Sequence, residues 1–317
     1  MEKKEINGKG VDVIIPTYKP EESFLVLLEK LQSQTVIPSK IILINTEDEK
    51  GNLFFQKNKL ENKYQNIELH HIKKEEFDHG NTRNLGITYS QAPFFLCMTQ
   101  DAIPADEFLI ERLLESFQDL SVGVSYARQL AYENSHVLEA FTREFNYPKE
   151  SRTKSKQDLP LLGIKTFFCS NVCAMYKRSI YDQMGGFIQK TIFNEDMIFA
   201  AGVIENDLKI QYQSRAMVYH SHYYTGKQQF QRNFDLGVSQ AEHPEIFSCV
   251  TSEKEGKKLI KSTLYYLKEQ KKKSLIPLFF YHSGCKFLGY KLGKNYKNLP
   301  SFLIKKFSMN KNYWKNI

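Results

Sequence analysis

The sequence predicts an α/β fold with a mostly parallel central sheet, followed by a basic, helical C-terminal region. Three observations predict it. Short runs of β-branched residues alternate with segments of helical periodicity through the first hundred residues, the unusual polar clusters sit just after those runs, and lysines crowd the chain from Thr251 onward. In a sheet of alternating strands and helices, ligands bind at the carboxyl ends of the strands. The polar clusters fall in that place.

The elements follow in order. Val11 to Ile15 (VDVII) is a buried strand closed by Pro16-Thr17. SFLVLLEKLQSQ repeats Phe24, Leu25, Leu27, Leu28 and Leu31 at helical spacing, so a helix follows. Lys40 to Ile44 is a second strand, ending in Asn45-Thr46-Glu47-Asp48. A polar helix near 51 to 63, a third strand from Ile67 to Ile72, the loop FDHGNTRN, a helix of about ten residues and the apolar strand Pro93 to Met98 complete this half. Thr99-Gln100-Asp101 ends it.

Beyond Pro104 the pattern predicts a helix near 106 to 118, a strand from Val122 to Ala127, and a polar stretch without periodicity from Glu133 to Leu159. Then come the strand Val172 to Tyr176, a helix near 178 to 184, the turn Gly185-Gly186-Phe187, and a buried helix capped by Asn194 whose first turn holds Glu195 and Asp196. A strand-like run from Ala216 to Tyr219 leads into His220-Ser221-His222.

An apolar content of 41% in 317 residues supports a real core. Five scattered cysteines, without the paired spacing of a zinc site, predict reduced thiols and a cytoplasmic setting. MEKKEINGKG offers no apolar secretion segment, and no apolar run reaches the roughly 18 to 20 residues that span a bilayer, so a soluble or peripheral chain is expected. The net charge of +8 is uneven: residues 251–317 carry 16 lysines against three glutamates, +13, which leaves −5 for residues 1–250. Lysines interleaved with Leu275 to Tyr281, Phe287 to Tyr290 and Phe302 to Ile304 suit either an anionic membrane surface or a solvated helical bundle. A nucleic-acid-binding protein is a distant alternative, because the lysines support it and the acidic clusters do not.

Several clusters can do chemistry. Asp101 either caps the turn before Pro104 or meets a hard cation such as Mg²⁺ or Mn²⁺ together with a substrate diphosphate. Glu195 and Asp196 open a helix where the macrodipole favours anions, so both are expected to be ionised and one can accept a proton. Alternation puts His220 and His222 on one face, where neutral imidazole adds a ligand beside a carboxylate. The glycine and arginine of HGNTRN precede a helix, a place suited to anions.

Taken together, VDVIIPTYKP, HGNTRNLGI, TQD in the place of a DxD, CAMYKRSIYDQMGGF, NED and A-x-V-x-H resemble the family 2 glycosyltransferases with the GT-A fold, over about Val11 to Tyr224. FDHGNTRN, TQDAIP and HSH look most like the bacterial rhamnosyltransferases of cell-wall and capsular polysaccharide synthesis. The resemblance implies a domain over residues 1–250, with a donor-binding half of about 10–105 and an acceptor half of 106–250, before the C-terminal region 251–317. It implies rhamnose moved from dTDP-L-rhamnose; an inverting transfer is expected, and the basic, apolar-studded tail suits a lipid-linked glycan acceptor at the cytoplasmic face of the membrane. Galactose, glucose or an N-acetylhexosamine is the alternative sugar. Implied donor contacts are Pro16, Thr17, Tyr18, Asn45, Thr46, Gly80, Asn81, Arg83, Gln100 and Asp101. Asp101 with His220 or His222 would hold the metal, Asp196 would be the base, and Glu195 would orient the acceptor. Two positions depart from the pattern: Thr99 replaces the first DxD aspartate, and Asn45-Thr46-Glu47 replaces an aspartate that reads the base.

Overall fold

The computed structural model describes residues 10–248 and 252–315. Contacts divide the chain into two units. One runs to Leu130 and adds Tyr147–Gln189 and Glu195–His220; the other gathers Ala131–Asn146, Lys190–Asn194 and the chain from Ser221.

The first unit is built on a nine-stranded sheet in the order β3-β2-β1-β4-β8-β6-β9-β5, with β7 also pairing β9. β1 (Val11–Thr17), β2 (Lys40–Thr46), β3 (Ile67–Ile72) and β4 (Phe94–Met98) are parallel neighbours, with Ile14 opposite Ile42 and Val13 opposite Leu96. Both β1 and β4 are buried along almost their whole length. That burial accounts for continuous apolar runs instead of alternation. Helix α1 (Glu22–Gln32) buries Phe24, Leu27, Leu28 and Leu31 in the core beside β1 and β2, each worth about 1.5–3 kcal/mol of transfer free energy.

The far half of the sheet is mixed. β8 (Cys173–Lys177) runs antiparallel to both β4 and β6 (Val122–Leu130), and β9 (Lys209–Tyr219) runs parallel to β6. The short β5 (Ile103–Pro104) and β7 (Arg152–Lys154) pair antiparallel with β9. Reversal at β8 brings the start of that strand to the edge where β4 ends, since Met98 pairs with Cys173.

Several segments differ from the sequence expectation, among them β9, which begins at Lys209 and not at Ala216, and the helix near 51 to 63, which is two helices. HGNTRN is already helical: α4 spans His79–Thr88, following α2 (Glu49–Asn58) and α3 (Leu60–Lys63). The Asp78 side chain accepts from the backbone of Gly80 at 3.1 Å and of Asn81 at 2.8 Å, and so caps the helix one turn early. Within the stretch from Glu133 to Leu159, α6 (Val137–Asn146) forms, and its Val137, Leu138, Phe141 and Phe145 recur near helical spacing. The remaining helices of the first unit are α5 (Leu109–Glu115), α7 (Leu159–Leu162), α8 (Arg178–Gln183) and α9 (Glu195–Glu205).

The second unit is helical. Besides α6 it holds α10 (Gly226–Glu242), α11 (Pro244–Phe247), α12 (Ser252–Glu269), α13 (Ile276–Lys294) and α14 (Ser301–Phe307). Its glycines let α10 and α13 touch backbone to backbone: a Cβ on Gly289 would sit 2.2 Å from the Phe230 carbonyl oxygen, and one on Gly293 2.1 Å from that of Phe234. Cys97, Cys169, Cys173 and Cys285 are free thiols, while Cys249 lies outside the described residues.

Candidate active site

The acidic pair opens α9, whose Phe199, Ala200, Ala201, Val203 and Ile204 are buried and fix its depth. Asn194 precedes it in the left-handed region at φ 68°. The two acids have different partners. Glu195 is buried and lies 3.1 Å from the Arg83 guanidinium, and its Oε1 accepts from Asn171 Nδ2 at 3.1 Å. Asp196 is half-buried; its Oδ2 accepts from Asn171 N at 3.0 Å and its Oδ1 from Met197 N at 2.8 Å.

These partners divide the charge. Burial alone would raise the Glu195 carboxyl, but the Arg83 guanidinium, then His79 and the Asn171 amide, hold it below the usual range. The Asp196 carboxyl is pushed up to about 7, first by its withdrawal from water and then by the negative charge of Glu195. The expectation that both acids are ionised at neutral pH thus fits Glu195, whereas Asp196 is poised between its two forms there. Its pKa lies near the pH at which a general base works best.

Asn171 was not visible as a site residue in the sequence. It is buried just before β8, and its Oδ1 accepts from Tyr176 Oη at 2.7 Å, which turns the amide nitrogen toward Glu195. One residue thus grips both acids.

At the sheet edge, Asp101 follows β4 and His220 follows β9. His220 is buried, with Nε2 3.6 Å from Asp101 Oδ2 and Nδ1 3.2 Å from Gln129 Oε1. Gln129 Nε2 donates to Ser170 Oγ at 3.0 Å, so its Oε1 is left to accept the Nδ1 proton and the lone pair stays on Nε2. One ligand atom each from Asp101, His220 and His222 lie within 4.8 Å of one another. One carboxylate oxygen and two imidazole nitrogens form a donor set that fits a divalent transition metal. Gln129 and Ser170, like Asn171, carry no motif that sequence reading could have found.

The strand-end residues take varied places. Gln100 closes a two-point bridge with Tyr18, accepting from its N–H at 2.8 Å and donating to its carbonyl at 2.9 Å. The exposed Tyr18 ring has the ammonium groups of Lys19 and Lys74 at 5.1 and 5.7 Å from its centre. Pro16 sits opposite Ile44. Thr17 Oγ1 donates to Asn45 Oδ1 at 3.2 Å, and Asn45 Nδ2 faces Asn52 and His71. Thr46 Oγ1 is buried with no hydrogen-bond partner among the described residues.

Gly80 and Arg83 are both engaged within the protein. A Cβ on Gly80 would meet the Ile188 carbonyl oxygen at 1.9 Å, so that glycine serves close backbone packing. Arg83 is buried, donates to the His79 carbonyl at 2.8 Å and pairs with Glu195, whereas Asn81 on the same helix is exposed.

Known proteins are similar to this chain in sequence and in fold. The family model described as glycosyl transferase family 2 matches residues 12–185. The chain is 37% identical over 311 residues to the O-antigen chain rhamnosyltransferase RfbN of Salmonella typhimurium, covering 97% of this chain and 96% of that one. It is 38% identical over 313 residues to the O-antigen chain rhamnosyltransferase WbaN of Salmonella anatum, covering 96% of each. Among solved structures, the fold is similar to mannosyltransferase PcManGT from Pyrobaculum calidifontis in complex with GDP-Man and Mn²⁺, with a TM-score of 0.61 at 12% identity over 92% of this chain and 87% of that one. It is also similar to S. aureus TarS 1-349 in complex with UDP-GlcNAc, with a TM-score of 0.52 at 15% identity over 91% of each.

Proposed function

The chain belongs to glycosyl transferase family 2, and from that premise we propose that this glycosyltransferase moves L-rhamnose from dTDP-L-rhamnose to a hydroxyl of a lipid-linked glycan, inverting the anomeric carbon. The rhamnosyl part of the reading is supported by the two Salmonella O-antigen chain rhamnosyltransferases that match almost end to end. The same likeness supports surface-polysaccharide synthesis, which the proposal places at the inner face of the cell membrane, with residues of about 10–105 taking the donor and 106–250 the acceptor.

The observation that carries the mechanism is the unequal pair. Glu195 is held by Arg83, while Asp196 has a carboxyl near 7 that takes up and releases a proton at working pH. A single available base suits a single displacement: Asp196 accepts the acceptor's hydroxyl proton as that oxygen attacks C1 of the sugar. Double displacement through a glycosyl-enzyme would call for a nucleophilic carboxylate paired with a second acid. Glu195, fixed by Arg83 and Asn171, orients the acceptor side. Tyr18, exposed and flanked by Lys19 and Lys74, offers a flat ring for the base and two cations for the diphosphate.

Asp101, His220 and His222 would hold a divalent metal, which when bound neutralises charge on the departing diphosphate. Two nitrogen donors favour Mn²⁺ over Mg²⁺, because Mg²⁺ prefers oxygen and gives up its waters reluctantly. Gln129 fixes the His220 tautomer for that duty.

The test is a panel of nucleotide sugars with a rhamnose-accepting lipid-linked oligosaccharide and Mn²⁺, read by release of nucleoside diphosphate and by the anomeric NMR signal of the product. Release from dTDP-L-rhamnose with inverted configuration is expected. Turnover confined to a UDP- or GDP-sugar would overturn the donor, and retained configuration would overturn the mechanism.

A further inference from the structure

The second unit carries a surface that the transfer reaction does not use. On α13 the exposed positions are 277, 280, 281, 284, 287, 288 and 291, one stripe at helical spacing, while Gly289 and Gly293 on another face meet the α10 backbone. Four of those positions hold large apolar side chains exposed by more than half: Phe280 at 51%, Tyr281 at 59%, Phe287 at 57% and Leu288 at 56%. Single exposed apolar residues need no explanation, but two exposed apolar pairs on one helix face, with the exposed Gly284 between them, mark an interaction surface.

The charge around the ridge selects its occupant. From Gln270 to Ile317 the chain has eleven lysines and no aspartate or glutamate. Lys271, Lys272 and Lys273 are exposed just before the helix, and Lys291 continues the stripe. A second copy of the chain would bring two such cationic surfaces together. A nucleic acid would answer the charge but leave Leu288 without a partner. An anionic lipid surface answers both, taking the rings and leucine among its acyl chains and the ammonium groups among its headgroups. No helix among the described residues is long and apolar enough to cross a membrane, so the contact is one of lying on the surface.

We propose that the exposed Phe280–Leu288 ridge of α13 is a bilayer-insertion face by which the enzyme docks on anionic membrane. This deepens the membrane setting of the function proposed above and rests on it only for the place where a lipid-linked acceptor is found. Glycines on the α10-facing side of α13 fix the helix close to its neighbour, so the ridge is presented on a rigid support.

The full chain is mixed with vesicles of phosphatidylcholine alone or with phosphatidylglycerol added, and sedimented. Binding only to the anionic vesicles is expected. Phe287→Ser with Leu288→Ser, both solvent-exposed, should weaken it by about tenfold or more, from the loss of two inserted side chains. Nucleotide-sugar hydrolysis in solution should be unchanged. Phe287→Trp, read beside the buried Trp314, should shift its emission to the blue on anionic vesicles. Undiminished sedimentation of the double variant overturns the ridge and leaves membrane contact standing. Failure of the unaltered chain to bind vesicles, while it still turns over donor, overturns both without touching the reaction. Likewise, a blue shift produced by a single-stranded oligonucleotide and not by vesicles, or a dimer abolished by the double variant, overturns the lipid assignment.

Discussion

The guanidinium of Arg83 lies 3.1 Å from the carboxylate of Glu195, and the two side chains retain only 6% and 8% of their exposure. A buried ion pair of this kind is more costly to break than to delete. Arg83→Ala should destabilise the fold by about 3–5 kcal/mol, because it strands a carboxylate out of water. Arg83→Leu combined with Glu195→Leu should cost less than Arg83→Ala alone, as read from denaturant midpoints. An additive double variant would show that the two charges are not coupled.

Asp196→Asn removes the proposed base while keeping its shape. Turnover should fall by about 10²-fold or more with donor affinity retained, measured by kcat and by titration with dTDP-L-rhamnose. Near-normal turnover would remove Asp196 from the mechanism.

The raised carboxyl of Asp196 gives activity and stability opposite slopes. With Asp196 as the proposed base, its deprotonated form is the one that acts, so kcat/KM should rise through an apparent pKa near 7, a value that belongs to the coupled pair. Between the ordinary carboxylate range and about 7, the folded protein keeps a proton that the unfolded chain has lost. Stability from this group is therefore present at low pH and declines as pH rises toward 7. Glu195, held below its usual range, acts in reverse and loses its contribution in acid. Asp196→Asn should accordingly melt higher than the unaltered chain at pH 8, and equal melting temperatures at pH 5 and 8 in both proteins would contradict the assignment.

Chelation should abolish transfer, and Mn²⁺ should restore it more fully than Mg²⁺. Gln129→Leu leaves all three ligand residues in place but frees the His220 ring. It should weaken metal affinity about 10–100-fold, the usual effect of removing a partner that orients a ligand. Isothermal titration with Mn²⁺ measures this directly, and unchanged affinity would show that the tautomer is set elsewhere.

Gly293→Ala tests the α10–α13 contact. Its methyl would lie 2.1 Å from the Phe234 carbonyl oxygen and 3.0 Å from the Val238 nitrogen, so the helices must part. A loss of about 1–3 kcal/mol is expected in thermal or denaturant unfolding, whereas Gly284→Ala on the same helix meets nothing within 4 Å and should be neutral or stabilising.

The parallel half of the sheet was legible because β1, β2 and β4 are largely apolar runs bounded by polar or turn residues and β3 opens and closes on isoleucine: Ile67–Ile72 is bounded as the sequence suggests, and the other strands within a few residues. Helix α6 escaped notice, since Val137, Leu138, Phe141 and Phe145 form a narrow apolar stripe among His136, Glu139, Thr142, Arg143 and Glu144. At the site, Asp101, Glu195, Asp196 and the histidines announced themselves as charges or imidazoles at strand and helix ends. Their supports did not. Asn171 acts partly through its backbone N–H, which any residue possesses, and Gln129 looks like any polar residue of a strand. Arg83 was visible but its direction was not, because its partner lies more than a hundred residues away.

The antiparallel pairing of β6 with β8 leaves a freedom that the chain has used. Neighbouring antiparallel strands can be joined by two residues, yet here residues 131–172 intervene between them. The two strand ends are pinned by the sheet whatever the excursion contains. Under the proposed function, exchange or lengthening of that segment ahead of Ser170 and Asn171 would retarget the enzyme to a new glycan while Asp101, Asn171 and the acid pair keep their places, making acceptor choice a replaceable cassette on a constant chemical chassis.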